Sequence, residues 1–184
     1  MNLIKQHWQE QDFKELHEYE KSLKGSQKDC EWEQRIINTK LECFGRTSTK
    51  ARALANEIKK GNKLEFIDNI KIENHLDSII IAHLLSTIKE FEIFENAVIN
   101  FAETIDNWAS TDTISFKGKN HKQLFELSKK LLKSKKPFVR RTGVNIYFEL
   151  IHDENYAPEV FELLNSLVNE KEYYVNMCAA WLLA

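Results

Sequence analysis

The stretch Asp106-Asn107-Trp108-Ala109-Ser110-Thr111-Asp112 sets an indole and a carboxylate one helical turn apart, where both can project to the same side. A carboxylate can stabilise developing positive charge and orient an attacking water. An aromatic face adds ~0.5–2 kcal/mol of stabilisation to the same charge through its quadrupole. A strongly cationic segment follows directly. From Lys117 to Arg141 there are ten Lys or Arg against one acid, Glu126, in a chain whose formal net charge is −2. Such local asymmetry is the electrostatic signature of a polyanion-binding groove on a near-neutral protein. Phosphate would repel a carboxylate at the edge of that groove, so Asp112 is a candidate for chemistry rather than for binding.

Within the segment, Lys117, Lys119, Lys133, Lys135, Lys136, Arg140 and Arg141 are the candidate contacts to a polyanion. Pro137 suits the first turn of a helix, where its missing N–H costs nothing. That predicts a helix over Phe138–Ile151 with Arg140 and Arg141 near its start. Cations there oppose the helix dipole by ~0.3–1 kcal/mol each. The arrangement makes sense if an external anion sits on the free N–H groups and the guanidinium. Bland readings stand beside these. A lysine run is often a solvated face, and Trp108, following Phe101 and Ile105, has the spacing of a core residue. Trp181 continues the stripe of Tyr174 and Cys178 in the same way. Asp112 within Ser110-Thr111-Asp112-Thr113 also suits a cap or turn.

Helical periodicity recurs nearly throughout and predicts the positioning elements. Leu16, Tyr19 and Leu23; Leu76, Ile79, Ile80, Leu84 and Ile88; Phe94, Val98, Phe101 and Ile105; Leu124, Leu127 and Leu131; and Val160, Leu163, Leu164 and Leu167 mark successive stripes. Breaks at Lys24-Gly25-Ser26, Phe44-Gly45-Arg46, Lys60-Gly61-Asn62, Gly118-Lys119-Asn120, Lys136-Pro137 and Ala157-Pro158 divide the chain into roughly nine or ten helices. From Lys119 onward helix pairs recur about every 35 to 40 residues, the spacing of an α-solenoid of antiparallel HEAT-like pairs. The expected fold is therefore all-α, a superhelix forming one domain over residues 1–184. Because the chain stops inside the apolar Trp181-Leu182-Leu183-Ala184, it is expected to lack a last capping helix pair.

Composition narrows the function classes. Five Gly and two Pro leave little material for hairpins. No apolar run approaches the ~20 residues of a membrane span, and the polar start is not a secretory signal. Cys30, Cys43 and Cys178 lack metal-ligand spacing and read as free thiols of a reducing cytoplasm. His75 and His83 could share a helical face two turns apart, but no Cys or acidic partner completes a metal site. No phosphate loop, Ser nucleophile motif or dinucleotide fingerprint is present. Neither metal nor cofactor is expected.

Three segments together are more specific than any residue alone. Phe101 to Asp112 resembles the "NWA…D" segment of the DNA alkylation repair family of HEAT-like glycosylases, the AlkD type. Phe138-Val139-Arg140-Arg141-Thr142-Gly143-Val144 is similar to that family's "RRT" helix start, and Tyr173 to Trp181 to its late "V…A..W" helix. A weaker likeness lies at Phe44-Gly45-Arg46 and Ala51 to Ile58, where the family's usual Val and Pro are missing.

The resemblance implies a monofunctional DNA glycosylase that excises cationic N3- or N7-alkylated purines from duplex DNA by hydrolysing the N-glycosidic bond, without a base-flipping pocket. Asp112 would be the catalytic carboxylate, Trp108 and Trp181 would flank the sugar, and Arg141 would hold the DNA backbone. The chemistry is coherent, because a cationic purine leaves without a general acid and an oxocarbenium-like sugar is what needs stabilising. The alternative within the family is a non-catalytic protein that binds distorted or branched DNA. A protein–protein scaffold is a third class, opposed by the Lys129 to Lys136 run. A monomer acting on DNA, with no membrane partner, is the default.

Overall fold

The computed structural model describes residues 1–45 and 47–184. Arg46, part of the weaker likeness, lies outside the described residues. Among these residues there are eleven helices and no strand, only an isolated bridge between Glu42 and Asn74. No described helix is long and apolar enough to cross a membrane. The all-α expectation is met. The chain divides into two compact units, Met1–Thr87 and Ile88–Ala184.

The first unit contains α1 (Glu10–Ser22), α2 (Gln27–Ile37), α3 (Thr47–Ile58), α4 (Lys63–Asn69) and α5 (His75–Leu85). Its centre is α5, which is buried along its whole length except at His83 and packs against α3 and α4. A helix apolar all round must be enclosed by others. Its start is set by Asn74, whose side chain accepts from the Asp77 N–H at 3.0 Å while Asp77 accepts from the Asn74 N–H at 3.1 Å. That reciprocal pair satisfies two N–H groups the helix cannot use itself. Trp8 meets Phe66 edge-on at 4.8 Å. Gly61 makes room for the incoming N-terminal segment, since a Cβ there would lie 2.3 Å from the Lys5 carbonyl oxygen.

The second unit contains α6 (Phe91–Thr104), α7 (Trp108–Asp112), α8 (His121–Leu132), α9 (Pro137–Leu150), α10 (Ala157–Ser166) and α11 (Tyr173–Leu183). Its hub is α9, packed against α6, α7, α8, α10 and α11, so successive helices stack in the solenoid-like manner expected. Pro137 opens α9 as predicted. Gly143 lets α8 come close, because a Cβ at that position would sit 3.1 Å from the Ser128 carbonyl oxygen and 3.2 Å from the Leu131 Cβ. The helix count exceeds the expectation because two helices are short, α4 with seven residues and α7 with five. Periodicity joins Trp108 to the stripe of Phe101 and Ile105. The backbone instead turns extended at Ile105, and Asn107 caps a new helix by accepting from the Ser110 N–H at 2.9 Å.

Candidate active site

Asp112 ends α7, and its carboxylate is held by α9. Its Oδ1 accepts from Arg141 Nε at 2.8 Å and from Asn145 Nδ2 at 2.7 Å, while Oδ2 accepts from Arg141 Nη2 at 2.6 Å. Arg141 and Asn145 are one turn apart on α9, so a single helix face supplies both donors. Thr111 Oγ1 stands 3.2 Å from Oδ1, but its one proton is shared with the Trp108 carbonyl at 2.9 Å. Oδ2 thus takes one donor among the described residues and retains a lone pair. Behind Asn145, Cys178 of α11 donates to its Oδ1 at 2.8 Å, which fixes the amide with its NH₂ toward Asp112. Burial pushes the Cys178 thiol up to about 12, so it stays protonated and remains a donor.

In front of the carboxylate lies a cleft of about 330 Å³, lined by Asp112, Asn145, Phe148, Glu149, Cys178 and Trp181 among others. Trp181 is 55 % exposed and Phe148 40 %, so two aromatic side chains stand accessible at the cleft. The core position that periodicity suggests for Trp181 is therefore corrected. Trp108 is half-buried at the first position of α7 and is not among the cleft's lining residues. The structure brings Asp112, Arg141 and Trp181 together from α7, α9 and α11, with Trp108 one turn from Asp112. Asn145, Cys178 and Phe148 were not singled out from sequence. The signal for Asn145 was its spacing of four from Arg141, and for Cys178 its spacing of three from Trp181.

Two expectations about the cations change. Arg141 is fully buried, its Nη1 donates to the Tyr174 carbonyl, and its other donors go to Asp112. The sealed guanidinium faces Asp112 and the Tyr174 carbonyl rather than the surface, where the resemblance would have it hold the DNA backbone. Arg140 is likewise engaged. Its Nε and Nη2 donate to the two Glu170 oxygens at 2.7 and 2.9 Å, and its Nη1 to the carbonyls of Ser134 and Lys135 at 3.0 and 2.9 Å. The anion expected at the start of α9 is thus Glu170, from the chain itself. The Arg140 guanidinium holds the Glu170 carboxyl below its ordinary 4.5. A depressed carboxyl contributes stability that is complete above the unfolded value and lost as pH falls through the folded one. The urea midpoint should therefore drop below about pH 4.3, and Glu170→Gln should flatten that drop at the expense of a lower midpoint near pH 7. A slope unchanged in the variant would show that this pair is not its source.

The lysines are distributed rather than focused. Lys117, Lys133 and Lys135 are exposed. Lys119 lies 4.8 Å over the Phe94 ring, and burial lowers its pKa. Lys136 pairs with Glu103 at 2.6 Å, Lys130 with Glu95 at 3.0 Å and Lys129 with Glu126 at 2.6 Å. Lys129, Lys130 and Lys133 line a separate cleft of about 660 Å³ with Glu95 and Glu126, and the residues lining the Asp112 cleft include no lysine. In place of the cationic groove expected around Asp112, the unit has a carboxylate-and-aromatic cleft with lysines elsewhere. Exposed lysine pairs are worth only ~0–1 kcal/mol, so Lys129, Lys130 and Lys136 can exchange a carboxylate for phosphate at little cost.

A protein-family model described as "DNA alkylation repair enzyme" matches residues 5–184. Comparisons with curated proteins and with solved structures return no match.

Proposed function

The chain belongs to the DNA alkylation repair enzyme family, and we propose that within it the protein acts as a monofunctional DNA glycosylase on cationic N3- or N7-alkylated purines. The observation that carries this reading is the Asp112 carboxylate, fixed by three donors from α9 yet lining a cleft with the exposed Trp181. An alkylated purine is already a cationic leaving group, so the reaction needs no acid to protonate it. As the C1′–N bond breaks, the electron pair goes to the purine and positive charge grows on the sugar. Asp112 Oδ2 faces that charge and orients the water whose oxygen forms the new bond to C1′. The proton the water loses goes to Asp112 or solvent.

Arg141 and Asn145 lock the carboxylate before the reaction, so little reorganisation is required as charge develops. Trp181, and Phe148 beside it, supply aromatic faces to the sugar. Exposed Lys117, Lys133 and Lys135 are the side chains available for phosphate, with Lys119 and Lys136 flanking them. The small, open cleft supports chemistry on a nucleotide approached from its sugar side, unlike the enclosed pockets of base-flipping enzymes.

The direct test is release of 7-methylguanine from alkylated duplex DNA. Base release with an intact strand supports the reading; binding without release favours the non-catalytic alternative. Trp181→Ala isolates the aromatic contribution. Because Trp181 is mostly exposed, its removal should change stability by less than ~0.5 kcal/mol. Excision should fall about tenfold, the equivalent of ~1.4 kcal/mol of lost cation stabilisation. An unchanged rate would take Trp181 out of the site.

A further inference from the structure

The first unit holds a polar cluster that alkylpurine excision does not use. The sequence pattern alone shows no partner completing a metal site, but the fold assembles two groups of mixed ligand types from distant positions, Glu33, Cys43 and His75, and His17, Glu20 and Asp77. In the first group the Glu33 oxygens are engaged, Oε2 by the Gly45 N–H at 2.6 Å and Oε1 by His75 Nδ1 at 3.3 Å. The second group is different. Glu20 and Asp77 are completely buried, and His17 is 8 % exposed. One oxygen of each acid is anchored: Glu20 Oε2 by Asn74 Nδ2 at 3.1 Å, and Asp77 Oδ2 by the Glu73 and Asn74 N–H groups at 2.9 and 3.1 Å. Of the other oxygens, Glu20 Oε1 has no hydrogen-bond partner, and Asp77 Oδ1 faces His17 Nε2 across 3.3 Å without a well-aligned hydrogen bond.

Those three atoms are the ones that converge, all within 4.8 Å of one another. His17 Nε2 lies 3.3 Å from Asp77 Oδ1, while its other nitrogen, Nδ1, lies 3.4 Å from Glu73 Oε2. Carboxylates thus stand at both ring nitrogens, and the Asp77 contact raises the His17 pKa above its ordinary value. A metal ion binding Nε2 would take the place of the proton there. Two sealed carboxylates side by side repel each other unless a cation or a proton sits between them. We propose that His17, Glu20 and Asp77 bind one divalent transition-metal ion of the Zn²⁺ class, linking α1 to the start of α5.

Several features agree with that assignment. Bond lengths of about 2.0–2.2 Å put ligand atoms on one ion roughly 3–4.4 Å apart, which this cluster matches with slight adjustment. One imidazole and two carboxylates suit Zn²⁺, Mn²⁺ or Fe²⁺ better than Mg²⁺ or Ca²⁺, which favour oxygen alone. Glu73, Asn74 and two backbone N–H groups orient the ligands from behind, as outer partners do in metal centres. His17 and Glu20 share one face of α1, three residues apart, and Asp77 sits in the first turn of α5. The ion would therefore tie together helices that are far apart in the chain. The competing arrangement is a protonated His17 paired with Asp77 beside a protonated Glu20. Burial and the neighbouring Asp77 push the Glu20 carboxyl up to about 9 when no cation is present.

The experiment uses the full chain, stripped with a chelator and then titrated with Zn²⁺, Mn²⁺ and Mg²⁺ while heat of binding and Tm are followed. The expected result is one equivalent of Zn²⁺ bound, a Tm that rises with Zn²⁺ concentration, and little response to Mg²⁺. Glu20→Gln and His17→Gln should each weaken Zn²⁺ binding at least tenfold, whereas Cys43→Ser, in the other group, should leave it unchanged. If the variants fold poorly, the wild-type chain decides alone: a Tm identical with chelator, Zn²⁺ and Mn²⁺ overturns the site. So does Zn²⁺ binding that survives Glu20→Gln or disappears with Cys43→Ser. Base release from alkylated DNA plays no part in these readouts, so the two readings stand or fall separately.

Discussion

Asp112→Asn is expected to lower excision of 7-methylguanine by about 10²–10³-fold, the scale of removing one preorganised electrostatic contact to a transition state. The substitution keeps the shape of the side chain and one acceptor oxygen but deletes the negative charge. Affinity for alkylated duplex DNA should hold or rise slightly, since a charge that repels phosphate is gone. The measurement must separate chemistry from folding, because Arg141 is fully buried and would lose its counter-charge. Single-turnover base release, DNA affinity by gel shift and the urea midpoint on the same preparation achieve that. A variant that excises as fast as wild type would remove Asp112 from the chemistry. One that loses DNA binding in parallel with excision would make Asp112 a folding residue.

Arg141→Ala should carry the largest stability penalty in the second unit, about 2–4 kcal/mol, reduced from the usual range for buried pairs because of the exposure of Asp112. The Asp112 side chain is 24 % exposed and can recover some hydration, whereas the guanidinium has none to recover. The variant also removes the donor that Nη1 supplies to the Tyr174 carbonyl. For a chain of this length the Tm should fall by about 5–15 °C. Arg141→Lys should rescue little, since an ammonium cannot span both carboxylate oxygens in the plane of a guanidinium. A double-mutant cycle is the sharper measurement. If Arg141 acts through Asp112, its loss should matter less once Asp112 is Asn, with a coupling of about 0.5–3 kcal/mol. Strict additivity would contradict the positioning role, and wild-type-like DNA affinity in the folded variant would agree with a guanidinium that does not touch phosphate.

Much of the architecture was legible because its causes are local. The spacing of Leu124, Leu127 and Leu131 predicts α8, Pro137 predicts where α9 opens, and Lys24-Gly25-Ser26 predicts a break, at which α2 begins. What periodicity missed is α7, since Trp108 has the right distance from Ile105 to continue α6. The break depends on an extended Ile105 and on the Asn107 cap, and a stripe of apolar residues records neither.

The all-helical class, the family and the identity of Asp112, Arg141 and Trp181 as residues that belong together could be read from the order of amino acids. Each rests on short-range spacing or on motifs preserved along the chain. The charge pattern could not be read that way. Counting along the chain leaves Lys117 to Arg141 almost bare of acid, yet Glu95, Glu103, Asp112 and Glu170 arrive from elsewhere in the chain to meet Lys130, Lys136, Arg141 and Arg140. His17 and Glu20 meet Asp77 in the same way. Electrostatic attraction falls with distance in space and with exposure to water, and chain separation enters neither quantity. Only packing of the helices could turn a run of cations into two buried clamps and a few exposed lysines, and leave one carboxylate facing an open cleft.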